Sequence, residues 1–134
     1  MLTRTFFLAL AIAFVSQTAS AQESDASSLR SRAISEAAQA VDQYNQMLRA
    51  QSLFYLVGGV ARAARAELLL TSYTEANPDD PDNEELVSLI QTMQVLSSRV
   101  AHEFITAPDP FDIERVGPLT LFLQIVGANM PARE

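Results

Sequence analysis

Apolar residues recur at intervals of three and four over most of this 134-residue chain, and this spacing restricts its fold more than any other feature. From Ser27 to Ala50, polar side chains occupy one side of the repeat and apolar side chains the other, the apolar positions being Ile34, Ala37, Val41, Tyr44 and Leu48. A period near 3.6 residues places such a set on one face of an α-helix. The sequence therefore predicts a long amphipathic helix whose apolar face must be covered by other elements.

A second helix is expected from Val60 to about Glu75, directly after the adjacent glycines Gly58 and Gly59. Two glycines cost about 1 kcal/mol each inside a helix, so they either end one helix or lie where a neighbouring backbone comes close. Apolar residues flank the pair, whereas a reversal of the chain usually recruits polar turn residues. The sequence favours a kink or a close contact but leaves a turn open.

The clearest loop runs from Ala76 to Glu85, with two prolines and five carboxylates. Asp82, followed three residues later by Glu85, is typical of a capping box, which predicts the start of a third helix. That helix extends to about Thr106 with a buried stripe formed by Leu86, Ile90, Met93, Leu96 or Ser97, Val100 and Phe104. The Asn-Pro-Asp-Asp-Pro turn is similar to the turn between tetratricopeptide repeats. It occurs once, and a repeat family requires several copies at a fixed period, so no family is assigned.

The region after Thr106 contains two proline signals. Asp109 with Pro110 predicts the cap and first turn of a short segment that ends at Val116. The dipeptide Gly117-Pro118 is then expected to break the chain again. The last elements are therefore predicted to be short.

The first 21 residues have the pattern of a secretory signal peptide. Arg4 precedes an unbroken apolar run from Phe6 to Val15, and the small residues Ala19 and Ala21 mark a cleavage site after the latter. A membrane-spanning helix needs about 20 apolar residues, roughly twice this run. We therefore expect an exported bacterial protein, periplasmic or extracellular.

Residues 119–126 form a final apolar run that alternates like a strand but has the bulk of a buried helix. We predict a helix, because the sequence offers no second strand to pair with it. Residues 129–134 are expected to be a loose tail. Residues 22–134 are thus predicted to be a single all-α domain, a bundle of about four helices with two long amphipathic helices and a short apolar C-terminal one.

Composition excludes several kinds of chemistry. The absence of cysteine excludes disulfides, thiolate metal sites and a cysteine nucleophile. With 9 basic and 16 acidic side chains, the formal net charge of -7 disfavours nucleic acid and counts against an anionic membrane surface. Asp80, Asp82 and Glu84 have the spacing of calcium ligands, but the sixth and twelfth positions of such a loop are Glu85 and Gln91, which do not fit. No catalytic motif is present, so we predict no enzyme activity, metal or cofactor.

Arg62 and Arg65 are the first candidate contacts, since they are neighbours on the second helix. Paired guanidinium groups bind carboxylate or phosphate, although pairing with the protein's own acids is the simpler expectation. They flank a stripe of mostly small residues formed by Val57, Ala61, Ala64 and Leu68. Small residues permit close approach of another helix, so self-association along this stripe is the hypothesis to test first.

Glu67 and His102 complete the candidate surface. Glu67 is an acid on an otherwise apolar helix face, where a functional carboxylate is a possibility beside an ordinary position at the helix edge. His102, the only histidine, could hold a b-type haem together with Met47 or Met93. Its simpler interpretation is a histidine near a helix C-terminus, where positive charge is favoured.

The function predicted from these features is that of a small exported binding or scaffold module in the bacterial envelope, acting on a protein partner or a second copy. An enzyme accessory or ligand-binding bundle is the alternative. A membrane-surface role would need residues 53–57 or 119–126 to form an exposed apolar patch.

Overall fold

The computed structural model describes residues 28–133, which form four helical rods and no strand. Helix α1 covers residues 28–50 and α2 covers Phe54–Ala76. The third rod is continuous: α3 (Asn83–Gln94) leads through a π-helical turn (Val95–Val100) into α4 (Ala101–Thr106). The fourth rod is α5, Ile113–Ala128. The predicted all-α bundle is confirmed.

The signal peptide predicted for residues 1–21, with Ala19 and Ala21 at its cleavage site, lies outside the described residues. It therefore stays a prediction. Among the helices of residues 28–133, none has the length and apolar character needed to cross a lipid bilayer.

Small side chains bring α1 and α2 close together. Ala37 and Ala40 of α1 and Ala63 and Ala66 of α2 are completely buried. Their size allows the two helix axes to approach closely. The space between the rods is filled by large, fully buried side chains, which are Tyr44, Phe104, Ile34, Met47, Leu70, Leu86, Met93, Leu96 and Leu123.

Aromatic residues divide between the core and the surface. The simplest prediction from the sequence is that the aromatic side chains form the core, these being Phe54, Tyr55, Tyr73, Phe104, Phe111 and Phe122. Tyr73 and Phe104 are buried, and Tyr55, Phe111 and Phe122 are half-buried. Phe54 is 81% exposed, so its assignment to the core is wrong.

The glycine pair lies inside α2, which begins at Phe54 and not at Val60 as predicted. A Cβ atom at Gly59 would lie 2.9 Å from Cε2 of the buried Tyr44 ring. The glycine is therefore required for a close contact between helices, and the alternative of a turn is wrong. The chain reverses just before α2, where Gln51 adopts a positive φ of 49°.

Helix α5 is longer than the sequence suggested. It runs without interruption through Gly117 and Pro118, so the expected break and the separate segment ending at Val116 are wrong. Asp112 caps the helix by accepting a hydrogen bond from the Glu114 N–H, in the role we assigned to Asp109. A proline in a helix removes one backbone hydrogen bond. Leu119, Leu123 and Val126, which follow Pro118, are all buried, and the burial of their side chains offsets that loss. The helical assignment of residues 119–126 is confirmed.

Arg30 holds both the start of α3 and the end of the chain. Asp82 precedes α3 as predicted, but its side chain makes no capping hydrogen bond and lies 3.2 Å from the Arg30 guanidinium instead. The predicted capping box is therefore wrong. Arg30 also donates to the Ala132 carbonyl at 2.8 Å, and Met130 packs against the core. The segment expected to be a loose tail is thus held against α1 up to this point.

A hydrogen bond from the Tyr73 hydroxyl to the Asp80 carboxylate closes the loop between α2 and α3. The carboxylate also accepts from the Asp82 N–H at 2.9 Å. The Tyr73 hydrogen bond, followed by that of Asp82, lowers the pKa of Asp80, and the same contact raises the pKa of Tyr73. The hydrogen bond is therefore strongest at pH values at which the Asp80 carboxyl is ionised and the Tyr73 phenol is still protonated.

We expect Tyr73→Phe to flatten the dependence of stability on pH in acid. Because folding lowers the pKa of Asp80, its contribution is complete above its unfolded-state pKa, which is about 4 for an aspartate. The contribution is lost as the pH falls below that value and through the lower folded-state pKa. Denaturant midpoints across this range should fall less steeply in the variant than in the parent. Tyr55→Phe, at a half-buried tyrosine beside Phe54, serves as the control. Identical slopes for Tyr73→Phe and the parent would contradict this role of Asp80.

Candidate functional site

Two clefts lie between the third rod and α5. The π cleft, of about 570 Å³, is bounded by the π-helical turn, α4 and the first half of α5. The tail cleft, of about 610 Å³, is bounded by α3, the second half of α5 and the chain segment after it. Phe122 lines both clefts, and together they form what we call the α5 groove. Each volume lies within the usual range of ligand pockets.

The floor of the π cleft is apolar. Val100, Phe104 and Leu119 are buried, and the half-buried Phe122 lies on the side towards the tail cleft, which it also lines. Phe104 is further fixed by an edge contact with Phe111, with ring centroids 6.2 Å apart. A ligand in this cleft would meet a preformed surface of aliphatic and aromatic carbon.

The π-helical turn supplies one wall of this cleft through Val95, Arg99 and Val100. Such turns insert an extra residue into a helix and are frequent at functional sites. The buried hydroxyl of Tyr44, on α1, donates a hydrogen bond to the Leu96 carbonyl within the turn. Burial raises the pKa of Tyr44, so its phenol stays protonated as this donor. Tyr44 therefore anchors the wall of the cleft to the centre of the bundle.

The rim of the π cleft carries two guanidinium groups and three carboxylates. Arg99 is 3.4 Å from Glu103, and Arg115 donates to the Asp109 carbonyl at 3.2 Å. The Asp112 carboxylate is occupied as the cap of α5. Glu114, which is exposed in the first turn of α5, has a side chain with no ion pair or hydrogen bond among residues 28–133. With three carboxylates and two guanidinium groups the rim is net negative, and Glu114 is the carboxylate that makes no ion pair or hydrogen bond within the described residues.

The residues predicted from the sequence lie elsewhere. The Arg62 and Arg65 guanidinium groups lie 3.1 and 3.4 Å from the two oxygens of the Glu36 carboxylate, whose side chain is only 17% exposed. An anion site at these arginines is thus occupied by the protein's own acid. Glu67 accepts a hydrogen bond from the Gln94 amide at 3.0 Å.

His102 is exposed on α4, whereas Met47 and Met93 are completely buried. The histidine and the two methionines considered as haem ligands therefore differ in burial, the first lying at the surface and the others inside the bundle. Within residues 28–133, no group of three or more histidine, aspartate or glutamate side chains is arranged to hold a metal ion.

Sequence reasoning missed the groove, although it placed Phe104 and Phe122 correctly on helices. Two sequence features could have pointed to the groove. Charged side chains lie on both sides of the Pro108–Pro110 turn, and α5 has more apolar residues than a single buried helix face requires. The π-helical turn has no comparable sequence signal. No protein-family model, curated protein or solved structure matches the chain.

Proposed function

We propose that this protein is a binding module whose α5 groove takes an apolar protein segment that carries positive charges. The observation that carries the proposal is a concave apolar floor beneath a net acidic rim. In the envelope location expected from the predicted signal peptide, such a module would act by holding a partner and not by catalysis.

The shape of the groove favours a helical or extended segment over a small molecule. Its walls are two helices, and it is open to solvent along its length. From Glu85 to Glu103 the third rod extends about 27 Å at 1.5 Å per residue. This length matches an amphipathic helix of about five turns, which binds by inserting apolar side chains between two helices. Phe122, at the junction of the two clefts, would contact the middle of the segment.

The charges favour a basic segment. Arg99 and Arg115 already have partners within the protein, whereas Glu114 on the π cleft does not. Glu85 adds a further exposed acid at the tail cleft. The net charge of -7 would attract a cationic partner from a distance and repel an acidic one.

We expect Glu114→Arg to weaken binding of a basic amphipathic peptide by about tenfold, which is about 1.4 kcal/mol. The probe is a fluorescein-labelled leucine–lysine helix of about 18 residues, which at 1.5 Å per residue matches the length of the groove, and the measurement is fluorescence anisotropy at two salt concentrations. Higher salt should weaken binding, because rim charges are screened.

The matched control is Glu84→Arg. Glu84 is also an exposed acid in the first turn of a helix, but it lines neither cleft. Both variants change net charge equally and alter the same interaction with a helix dipole. Equal weakening by both would show that only overall charge matters. That result, or failure of the peptide to bind, would contradict the proposed site.

A further inference from the structure

We infer that the outward face of α2 binds a second copy of this chain in antiparallel orientation. This goes beyond the proposed function, since the face lies on a different helix from the α5 groove. The surface, called the α2 seam below, consists of Phe54, Val57, Ala61, Ala64 and Leu68.

The α2 seam is apolar and uncovered. Phe54, Val57 and Leu68 are 81%, 74% and 66% exposed, and the two alanines between them are exposed as well. The opposite face of α2 is buried in the bundle through Leu56, Gly59, Ala63, Ala66, Leu70 and Tyr73. A helix that is apolar on two faces normally has both covered. One of the two faces of α2 is uncovered in the described monomer.

The spacing of the seam is that of a helix pair. Its five residues follow one another at intervals of three, four, three and four, which is the a/d pattern of a coiled coil. The pattern lies on a rigid helix of 23 residues, so its residues are already aligned along one line. A partner helix would be held without rearrangement of the bundle.

The seam is complementary to itself when reversed. In an antiparallel pair, an a position faces a d position of the other helix. Val57 of one copy then faces Leu68 of the other, and Ala61 faces Ala64. Each contact occurs twice about a twofold axis, as an isologous dimer requires. The alanines at the centre allow the axes to approach to about 8 Å.

Charge favours this face over others as the contact between two acidic chains. From residue 54 to residue 68, α2 carries one carboxylate, Glu67, which accepts a hydrogen bond from Gln94. The two arginines of this stretch are paired with Glu36. At the edge of the seam, Arg65 is the exposed charge, and in the antiparallel register it lies opposite Gly58 of the second copy. Like charges are therefore not brought together. The rim of the α5 groove, in contrast, would bring carboxylates against carboxylates.

The size of the seam predicts a weak dimer. About four turns of helix on each copy would bury on the order of 1,000 Å² in total, which is at the low end for specific interfaces. We expect a dissociation constant in the micromolar range, so the association would respond to local concentration.

Sedimentation equilibrium on the protein purified after expression of the whole chain tests the dimer. We expect a monomer–dimer equilibrium that Ala64→Arg weakens at least about 30-fold, because two guanidinium groups would face a desolvated apolar contact. Ala76→Arg is the matched control, since Ala76 is an exposed alanine of the same helix outside the seam. Circular dichroism of both variants verifies that they remain helical.

Cysteine cross-linking tests the orientation, because the chain has no cysteine of its own. A mixture of Val57→Cys and Leu68→Cys should form disulfide-linked heterodimers faster than either variant alone forms homodimers. Faster homodimer formation by each variant alone would indicate parallel packing and overturn the inference.

Three further results would overturn it. The first is a parent protein that stays monomeric at about 100 μM, well above a micromolar dissociation constant. The second is a dimer that persists in the Ala64→Arg variant. The third is a monomeric parent protein that binds phosphatidylcholine vesicles through the α2 seam and sediments with them. Ala64→Arg should leave binding of the leucine–lysine peptide unchanged, which separates failure of the dimer from failure of the groove.

Discussion

Replacement of Gly59 by alanine is expected to lower the free energy of unfolding by roughly 2 kcal/mol, whereas alanine at Gly58 should raise it by up to about 1 kcal/mol. Alanine stabilises a helix interior relative to glycine at both positions. At Gly59 the new methyl group would lie 2.9 Å from the Tyr44 ring, which is completely buried and held at its hydroxyl by Leu96. The ring cannot move aside, so α1 and α2 must separate.

Gly58 is the matched control for this prediction. Its added methyl group would meet only the end of the Gln43 side chain, at 2.9 Å from Oε1. Gln43 is half-buried and flexible, so its amide can rotate away at little cost. Guanidinium unfolding at one fixed protein concentration measures both variants. Equal and stabilising effects at the two positions would show that Tyr44 does not pack as described.

Tyr44→Phe is expected to destabilise the protein by about 0.5 to 1.5 kcal/mol, the net contribution of one buried hydrogen bond. The substitution keeps the ring against Gly59 but removes the only side-chain donor to the Leu96 carbonyl among the described residues. The Leu96 carbonyl lies within the helix and keeps its backbone donor, so the loss is that of one buried hydrogen bond, about 0.5 to 1.5 kcal/mol. The carbonyl belongs to the π-helical turn, so the wall of the π cleft should also become less well fixed.

Two measurements separate these effects of Tyr44→Phe. Denaturant unfolding gives the loss of stability. Tyr55→Phe should cost less than about 0.5 kcal/mol, because the Tyr55 hydroxyl makes no hydrogen bond within residues 28–133 and its ring is retained. Amide hydrogen exchange under native conditions should show faster exchange at residues 95–100 in Tyr44→Phe than in Tyr55→Phe. Unchanged exchange in the π-helical turn would contradict the anchoring role.

The fold could be predicted from the sequence where burial follows helical period. On α1, Ile34, Ala37, Val41 and Tyr44 are buried as the spacing indicated. The errors fall where local signals compete with packing. Gly58 and Pro118 normally end helices, yet α2 and α5 continue through them. The buried face of each helix spans the break, with Leu56 and Ala63 around Gly58 and with Leu119 and Leu123 after Pro118, and this burial outweighs the local cost.

The candidate site could not be predicted in the same way. The α5 groove depends on the distance between two rods, and its walls come from segments up to 46 residues apart in the chain, from Glu85 to Pro131. The pairing of Arg62 and Arg65 with Glu36 likewise depends on the register of α1 against α2. What the sequence did show was the stripe from Val57 to Leu68, because a surface on one helix needs only the period of that helix.

Chemical-shift mapping of the labelled protein with the leucine–lysine peptide tests the binding function most directly. We predict that the amides that shift most cluster around the two clefts, at Phe104 and Leu119 in the π cleft, at Leu89 and Val126 in the tail cleft and at Phe122 in both. Glu114→Arg should reduce those shifts at equal peptide concentration. Shifts confined to the outward face of α2, or spread evenly over the acidic surface, would contradict the account.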